Sequence, residues 1–158
     1  MRVFLGTDHA GFELKEHLVS WLKANGHEAV DCGAFEYDAV DDYPPFVLRA
    51  ARRTAAEPGT LGIVIGGSGN GEAIAANKVA GVRAALVWNE DTATLAREHN
   101  DANVISIGAR QHDAETATRF VELFLATPYS GEERHSRRIA MLSDYERTGE
   151  LPPLPDEG

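Results

Sequence analysis

Six consecutive residues, Gly66-Gly67-Ser68-Gly69-Asn70-Gly71, and the acid that follows them, Glu72, carry the densest chemical signal in the chain. The apolar run Ile63 to Ile65 precedes them, and a helix-forming segment runs from Glu72 to Lys78. That order predicts strand, tight loop and helix start. Such a loop turns several backbone N–H groups toward one point, with the positive end of the helix dipole behind them. An oxygen that becomes anionic during a reaction is stabilised there. Glu72, in the first turn, adds a carboxylate at the rim: a base beside an oxyanion hole. Two or three glycines would read as a turn and nothing more, but four among six residues, followed by an acid, read as a site. Two nucleotide-binding readings fail. A phosphate loop of the Walker type closes with Gly-Lys-Ser/Thr, whereas Glu72 follows Gly71. The dinucleotide fingerprint needs a third glycine where Glu72 stands, and it belongs on the first strand.

Other chemistry-bearing residues also follow predicted strands. Asp8 and His9 come directly after the apolar run Val3 to Gly6, and Arg110 comes directly after Val104 to Gly108. Each alone is as well explained as a cap or a surface charge. Together with Ser68 they converge, because open α/β sheets gather ligands at the carboxyl ends of their strands. His99 closes a predicted helix, where a protonated imidazole is favoured and a capping role is the commoner one. Arg134 and Arg138 are four apart on a last helix and share a face, so two guanidinium forks can clamp a phosphate. The plain alternative is a basic stripe paired with Glu132 and Glu133. Asp38 to Pro45 lacks calcium-loop spacing and reads as a solvated acidic loop, with Tyr43 as its one candidate for the site.

The elements that must position these residues alternate along the chain. Strands are expected at Val3 to Gly6, His27 to Asp31, Ile63 to Ile65, Arg83 to Trp88 and Val104 to Gly108. Helices are expected from Phe12 to about Gly26, Phe46 to Thr54, Glu72 to Lys78, Glu90 to His99, Asp113 to Ala126 and Gly131 to Arg147, the last behind a capping box at Ser130 and Glu133. This alternation predicts one α/β domain over 1–150 with a five-stranded, mostly parallel sheet, followed by a Pro-rich tail over 151–158.

Composition narrows the classes. The length of 158 residues suits one domain with a real core. A net charge of −10 argues against nucleic acid or an anionic membrane as the main partner, and no apolar run approaches the roughly 18 residues of a spanning helix. The N-terminus reads as a first strand rather than a signal peptide, so a cytoplasmic location is expected. Cys32 is the one cysteine, and the six histidines are scattered, with no His-x-x-x-His pair on a helix. No metal and no cofactor is expected.

Six segments together resemble the type B ribose-5-phosphate isomerases and the related galactose-6-phosphate isomerase subunits. They are Gly6-Thr7-Asp8-His9-Ala10-Gly11, Asp42-Tyr43-Pro44, Gly66 to Glu72, Ala75-Ala76-Asn77-Lys78, Arg97-Glu98-His99-Asn100 and Arg134-His135-Ser136-Arg137-Arg138. The resemblance implies a Rossmann-like three-layer α/β/α sandwich, a homodimer with its site between subunits, and a step of the pentose phosphate pathway. Many members use a cysteine as base where Gly66 stands here; the pattern resembles the branch in which Glu72 takes that role, and Cys32 lies elsewhere. Interconversion of ribose 5-phosphate and ribulose 5-phosphate through an enediol is the activity implied. Glu72 would move the proton, with Ser68 and the N–H groups of Gly69, Asn70, Gly71 and Glu72 stabilising the enediolate and Gly67 lining the same pocket. His99 and Asp8 would open the sugar ring, Asn100 would hold a hydroxyl, and Tyr43 would line the site. The phosphate would rest on His9 and Arg110, with Arg134 and Arg138 arriving from the partner subunit. A four- or six-carbon aldose phosphate as substrate, a non-catalytic sugar-phosphate sensor, and a nucleotide-binding module are the alternatives.

Overall fold

The computed structural model describes residues 1–155. Five strands, β1 (Arg2–Thr7), β2 (Glu28–Asp31), β3 (Leu61–Gly66), β4 (Ala84–Leu86) and β5 (Val104–Gly108), form one sheet in the order β2-β1-β3-β5-β4. Every pairing is parallel, as the alternation of strands and helices predicts. Among the described residues, six α-helices connect and follow them: α1 (Phe12–Ala24), α2 (Pro44–Ala56), α3 (Asn70–Ala76), α4 (Glu90–Glu98), α5 (Ala114–Ala126) and α6 (Glu133–Thr148).

Side-chain alternation along the strands divides the core in two. Val3, Leu5, Ile63, Ile65, Ile105 and Ile107 face α1, α4 and α5, meeting Leu14, Leu18, Leu22, Ala93, Ala96, Phe120 and Phe124. Phe4, Val64 and Val104 face α2 and α3, meeting Val47, Ala50, Ala51, Ala75 and Ala76. The result is a three-layer α/β/α sandwich. One charged side chain is wholly buried within it: Lys15 on α1 donates to the Ala34 carbonyl at 2.7 Å and pairs with Asp31 at 2.5 Å.

Several element ends differ from the sequence expectation. α2 starts two residues early, because Pro44 and Pro45 fall in the first turn, where a missing N–H breaks no helical bond. β4 stops before Trp88, because the N–H groups of Trp88 and Asn89 turn to the Thr92 hydroxyl in the cap of α4. α3 begins at Asn70, with Gly69 at φ 86° as its left-handed entry. The capping box at the last helix does not form. α6 begins at Glu133 after Glu132, and the Ser130 hydroxyl instead meets His135 Nδ1 at 3.0 Å.

α6 stands apart from the rest. Its sixteen residues bury His135 alone, and Met141, Leu142 and Tyr145 are exposed on it. Residues 151–154 continue as exposed irregular chain, and 156–158 of the expected tail lie outside the described residues.

Candidate active site

The strand order reverses between β1 and β3: from β1 the chain goes on to β2 on one side, and β3, β5 and β4 lie on the other. Ligand crevices of parallel sheets open at such a point, beyond the carboxyl ends of the strands. Asp8 and His9 leave β1 there, and Gly66 to Glu72 leave β3. Thr7 ties the two strand ends together through its hydroxyl, which donates to the Ile65 carbonyl at 2.8 Å. From β5, the buried Ser106 hydroxyl donates to the Gly69 carbonyl at 2.7 Å and anchors the glycine loop from below.

Glu72 is 5 % exposed. Its carboxylate lies over Gly66, where an added Cβ would come within 2.0 Å of it. Gly66 has no positive φ, so here the glycine provides space rather than conformation. Burial raises the Glu72 pKa first; its own backbone N–H opposes the rise, and the nearby charge of Asp8 adds to it. Desolvation therefore outweighs the hydrogen bond from the helix's first turn. Of the loop N–H groups, that of Asn70 donates to the Ser68 hydroxyl at 3.2 Å. Those of Gly69 and Gly71 have no acceptor among the described residues. They remain as donors for a bound oxygen.

Two more predicted residues pack on this loop. The Tyr43 ring lies against Gly71, where a Cβ would meet its hydroxyl at 2.6 Å. Arg110 lies over Gly67, with Nη1 at 3.1 Å from an added Cβ. One residue of the crevice was not expected. Asp41 belongs to the acidic loop read as solvated, yet its Oδ1 accepts from both the backbone N–H of His9 and His9 Nδ1, each at 2.8 Å. Only tertiary folding reveals this, since the partners are 32 residues apart. Asp8, His9 and Asp41 also bring metal-type donor atoms within 4.8 Å of one another. Here His9 and Asp41 hydrogen-bond to each other, and Asp8 Oδ1 caps the Ala10 N–H at 3.0 Å.

The remaining predicted residues form a second cluster. α4 runs back from the carboxyl end of β4, so His99 and Asn100 lie just before β5, at the amino edge of the sheet. One strand length, roughly 16 Å, separates that edge from the crevice. The His99 ring packs on that of His135, with centroids 4.2 Å apart. His135, unremarked in the sequence beyond its motif, is buried, and its pKa is lowered by that burial and by the His99 charge. A cleft of about 180 Å³ is lined by His99, Asn100, His135, Arg138, Ile139 and Leu142. Arg134 is exposed and pairs with Glu132 at 2.9 Å. A single chain thus joins Asp8, His9, Tyr43, the glycine loop, Glu72 and Arg110. It keeps His99, Asn100, Arg134 and Arg138 away from them. Cys32 lies in the second core with a thiol pKa raised by burial, separate from both clusters.

A family model described as Ribose/Galactose Isomerase matches residues 3–142. The chain is 59% identical over 155 residues to "Ribose-5-phosphate isomerase B" of Mycobacterium tuberculosis, covering 98% of this chain and 96% of that one. Among solved structures, ribose-5-phosphate isomerase B from Mycoplasma genitalium with bound ribulose-5-phosphate is similar at TM-score 0.90 and 40% identity, over 93% of this chain and 97% of that one. The type B enzyme of Trypanosoma cruzi is similar at TM-score 0.88 and 42% identity, over 94% and 98%. By sequence and by fold, the chain belongs to the ribose/galactose isomerase family.

Proposed function

We propose that the protein is an aldose–ketose isomerase that interconverts ribose 5-phosphate and ribulose 5-phosphate through an enediol. The observation that carries this reading is the buried Glu72 carboxylate, lodged over Gly66 at the sheet's switch point. A carboxyl whose pKa is raised by burial is a better base once ionised than one in water. Glu72 takes the proton from C2 and returns it to C1. As the carbonyl electrons move onto oxygen, the N–H groups of Gly69 and Gly71 and the Ser68 hydroxyl meet the developing charge, each such donor contributing about 2.7–4 kcal/mol to the transition state.

Two further steps frame the proton transfer. Opening the furanose needs one group to give a proton to the ring oxygen and one to take the C1 hydroxyl proton. Asp8 and His99 fill these roles, and Asn100 holds a hydroxyl. The substrate phosphate rests on His9 and Arg110, closed over by Arg134 and Arg138, with Gly67, Asn70 and Tyr43 lining the pocket. Because one chain holds the two groups of residues at opposite sheet edges, a homodimer is part of the proposal. The His99 cluster and the arginines of one chain complete the Glu72 crevice of the other. The exposed apolar side chains of α6 support the same arrangement, since a helix with one buried residue needs a surface to pack on. The reaction needs no metal or cofactor, each chain contributes a single domain over 1–150, and the cytoplasm is the proposed location. No helix among the described residues is long and apolar enough to cross a membrane.

The test is incubation with ribose 5-phosphate in D₂O, following C1 and C2 by NMR. Wild type is expected to isomerise the sugar with deuterium entering the exchanged position, and folded Glu72→Gln is expected to do neither. Isomerisation surviving in Glu72→Gln would remove Glu72 as the base. Turnover of a four- or six-carbon aldose phosphate, with ribose 5-phosphate inert, would replace the substrate.

A further inference from the structure

Asp41 has no part in the chemistry just described, yet its geometry toward His9 is unusual. A single oxygen, Asp41 Oδ1, accepts two hydrogen bonds from one residue, the His9 backbone N–H and ring Nδ1, both at 2.8 Å. The first fixes the chain at His9 and the second fixes the ring. The other oxygen, Oδ2, is buried without a hydrogen-bond partner. Such a carboxylate is costly unless a positive charge lies beside it. The charged groups that act on His9 are Asp41, Asp8, whose Oδ2 is 4.0 Å from Nδ1, and Arg110. Two carboxylates against one guanidinium favour a cationic imidazole. The other neutral tautomer, with its proton on Nε2, would aim the Nδ1 lone pair at a carboxylate and is excluded. Asp41 therefore decides where the proton of His9 sits. The opposite nitrogen, Nε2, points away from Asp41 on a ring that is 24 % exposed.

We propose that Asp41 is a positioning residue, whose carboxylate holds His9 as an Nδ1–H cation so that Nε2–H meets the substrate phosphate as a charged donor. The proposal rests on the reading that His9 lies at the phosphate end of the site. Its consequence is a pH limit on binding. The Asp41 hydrogen bond raises the His9 pKa above 6.5, against the opposing pull of desolvation and Arg110. Phosphate recognition then persists to a pH at which a free histidine has lost its charge. Above that limit Nε2 becomes a lone pair facing an anion, so affinity falls rather than merely ceasing to improve.

Asp41→Asn separates the two jobs of the carboxylate. An amide oxygen still accepts from the His9 backbone, which keeps the loop in place, but the charge is gone. Histidine-ring NMR, with His9 assigned by its loss in His9→Asn, reads the titration directly, and inorganic phosphate is the probe ligand. In Asp41→Asn the His9 ring is expected to titrate at lower pH than in wild type. Between the two His9 titrations, above pH 6.5, phosphate affinity is expected to fall on the order of tenfold, as befits one charge-assisted hydrogen bond. The alkaline limb of 1/KM for ribose 5-phosphate should move to lower pH, with KM changing more than kcat. An unshifted His9 titration, or unchanged phosphate affinity, would overturn the proposal and leave Asp41 as a staple of its loop. Should Asp41→Asn not fold, wild type saturated with phosphate serves instead: the His9 pKa rises further if Nε2–H meets the anion, and no rise overturns the contact. Both readouts are independent of turnover, so failure of the isomerase reading would be seen separately.

Discussion

Glu72 combines two opposed demands on one side chain. Its folded pKa lies above 4.5, so between 4.5 and that higher value the folded chain binds more protons than the unfolded one. This contribution to stability is fully present below pH 4.5 and is lost as pH rises through the folded value. Above the folded value the ionised, buried carboxylate is therefore a net cost. Glu72→Gln should melt higher than wild type above that value, with the gain vanishing below pH 4.5, while turnover drops roughly 10²–10⁴-fold. Calorimetry across pH beside the isomerase assay checks both halves. Gly66 allows a second prediction. Alanine suits its backbone but overlaps the Glu72 carboxylate, so Gly66→Ala should cost about 1–3 kcal/mol of stability and most of kcat. Urea unfolding and initial rates will show it; a fully active Gly66→Ala would mean that the carboxylate works from another place. Glu72 and its loop were legible in sequence because they are contiguous. Asp41 was not, because an acidic loop is usually solvated and its partner, His9, is 32 residues away.

At the scale of elements, the glycine loop is held from below as well as by its own turns. The Ser106 hydroxyl, buried on β5, donates to the Gly69 carbonyl, which also accepts the Ala73 N–H at 3.0 Å. Ser106→Ala would leave that carbonyl with the helical bond alone. A loss of about 0.5–1.5 kcal/mol is expected, together with a fall in kcat as the loop donors lose their aim. A denaturant midpoint equal to wild type would show that the loop does not depend on β5. The strands and the helices α1 to α5 followed from alternation and spacing, because each buries a face in the core about the sheet. Two of the misjudged ends share one physical cause: side chains bonding across short distances. Thr92 drew the N–H groups of Trp88 and Asn89 out of β4, and His135 drew Ser130 away from a capping box. Such competition between a cap and a tertiary partner has no signature in spacing.

At the scale of the molecule, α6 is the element that a lone chain cannot account for. The sequence implied a dimer only by resemblance; helix spacing alone could not show that the last helix buries only His135 against its own chain. Sedimentation should find a dimer at micromolar concentration. Dilution until the dimer dissociates should abolish turnover, since the His99 cluster would leave the Glu72 crevice. Full specific activity in a verified monomer would refute the shared site.

The separation of the two residue groups to opposite edges of a parallel sheet has a consequence in genetics. Glu72→Gln and Arg138→Ala would behave as complementing alleles of one gene. Carried on different copies, they leave one of the two sites in a mixed dimer with every wild-type part, and a cell expressing both recovers about a quarter of full activity. Carried on the same copy, they spoil both sites of any mixed dimer, and that allele becomes dominant over the wild type it pairs with.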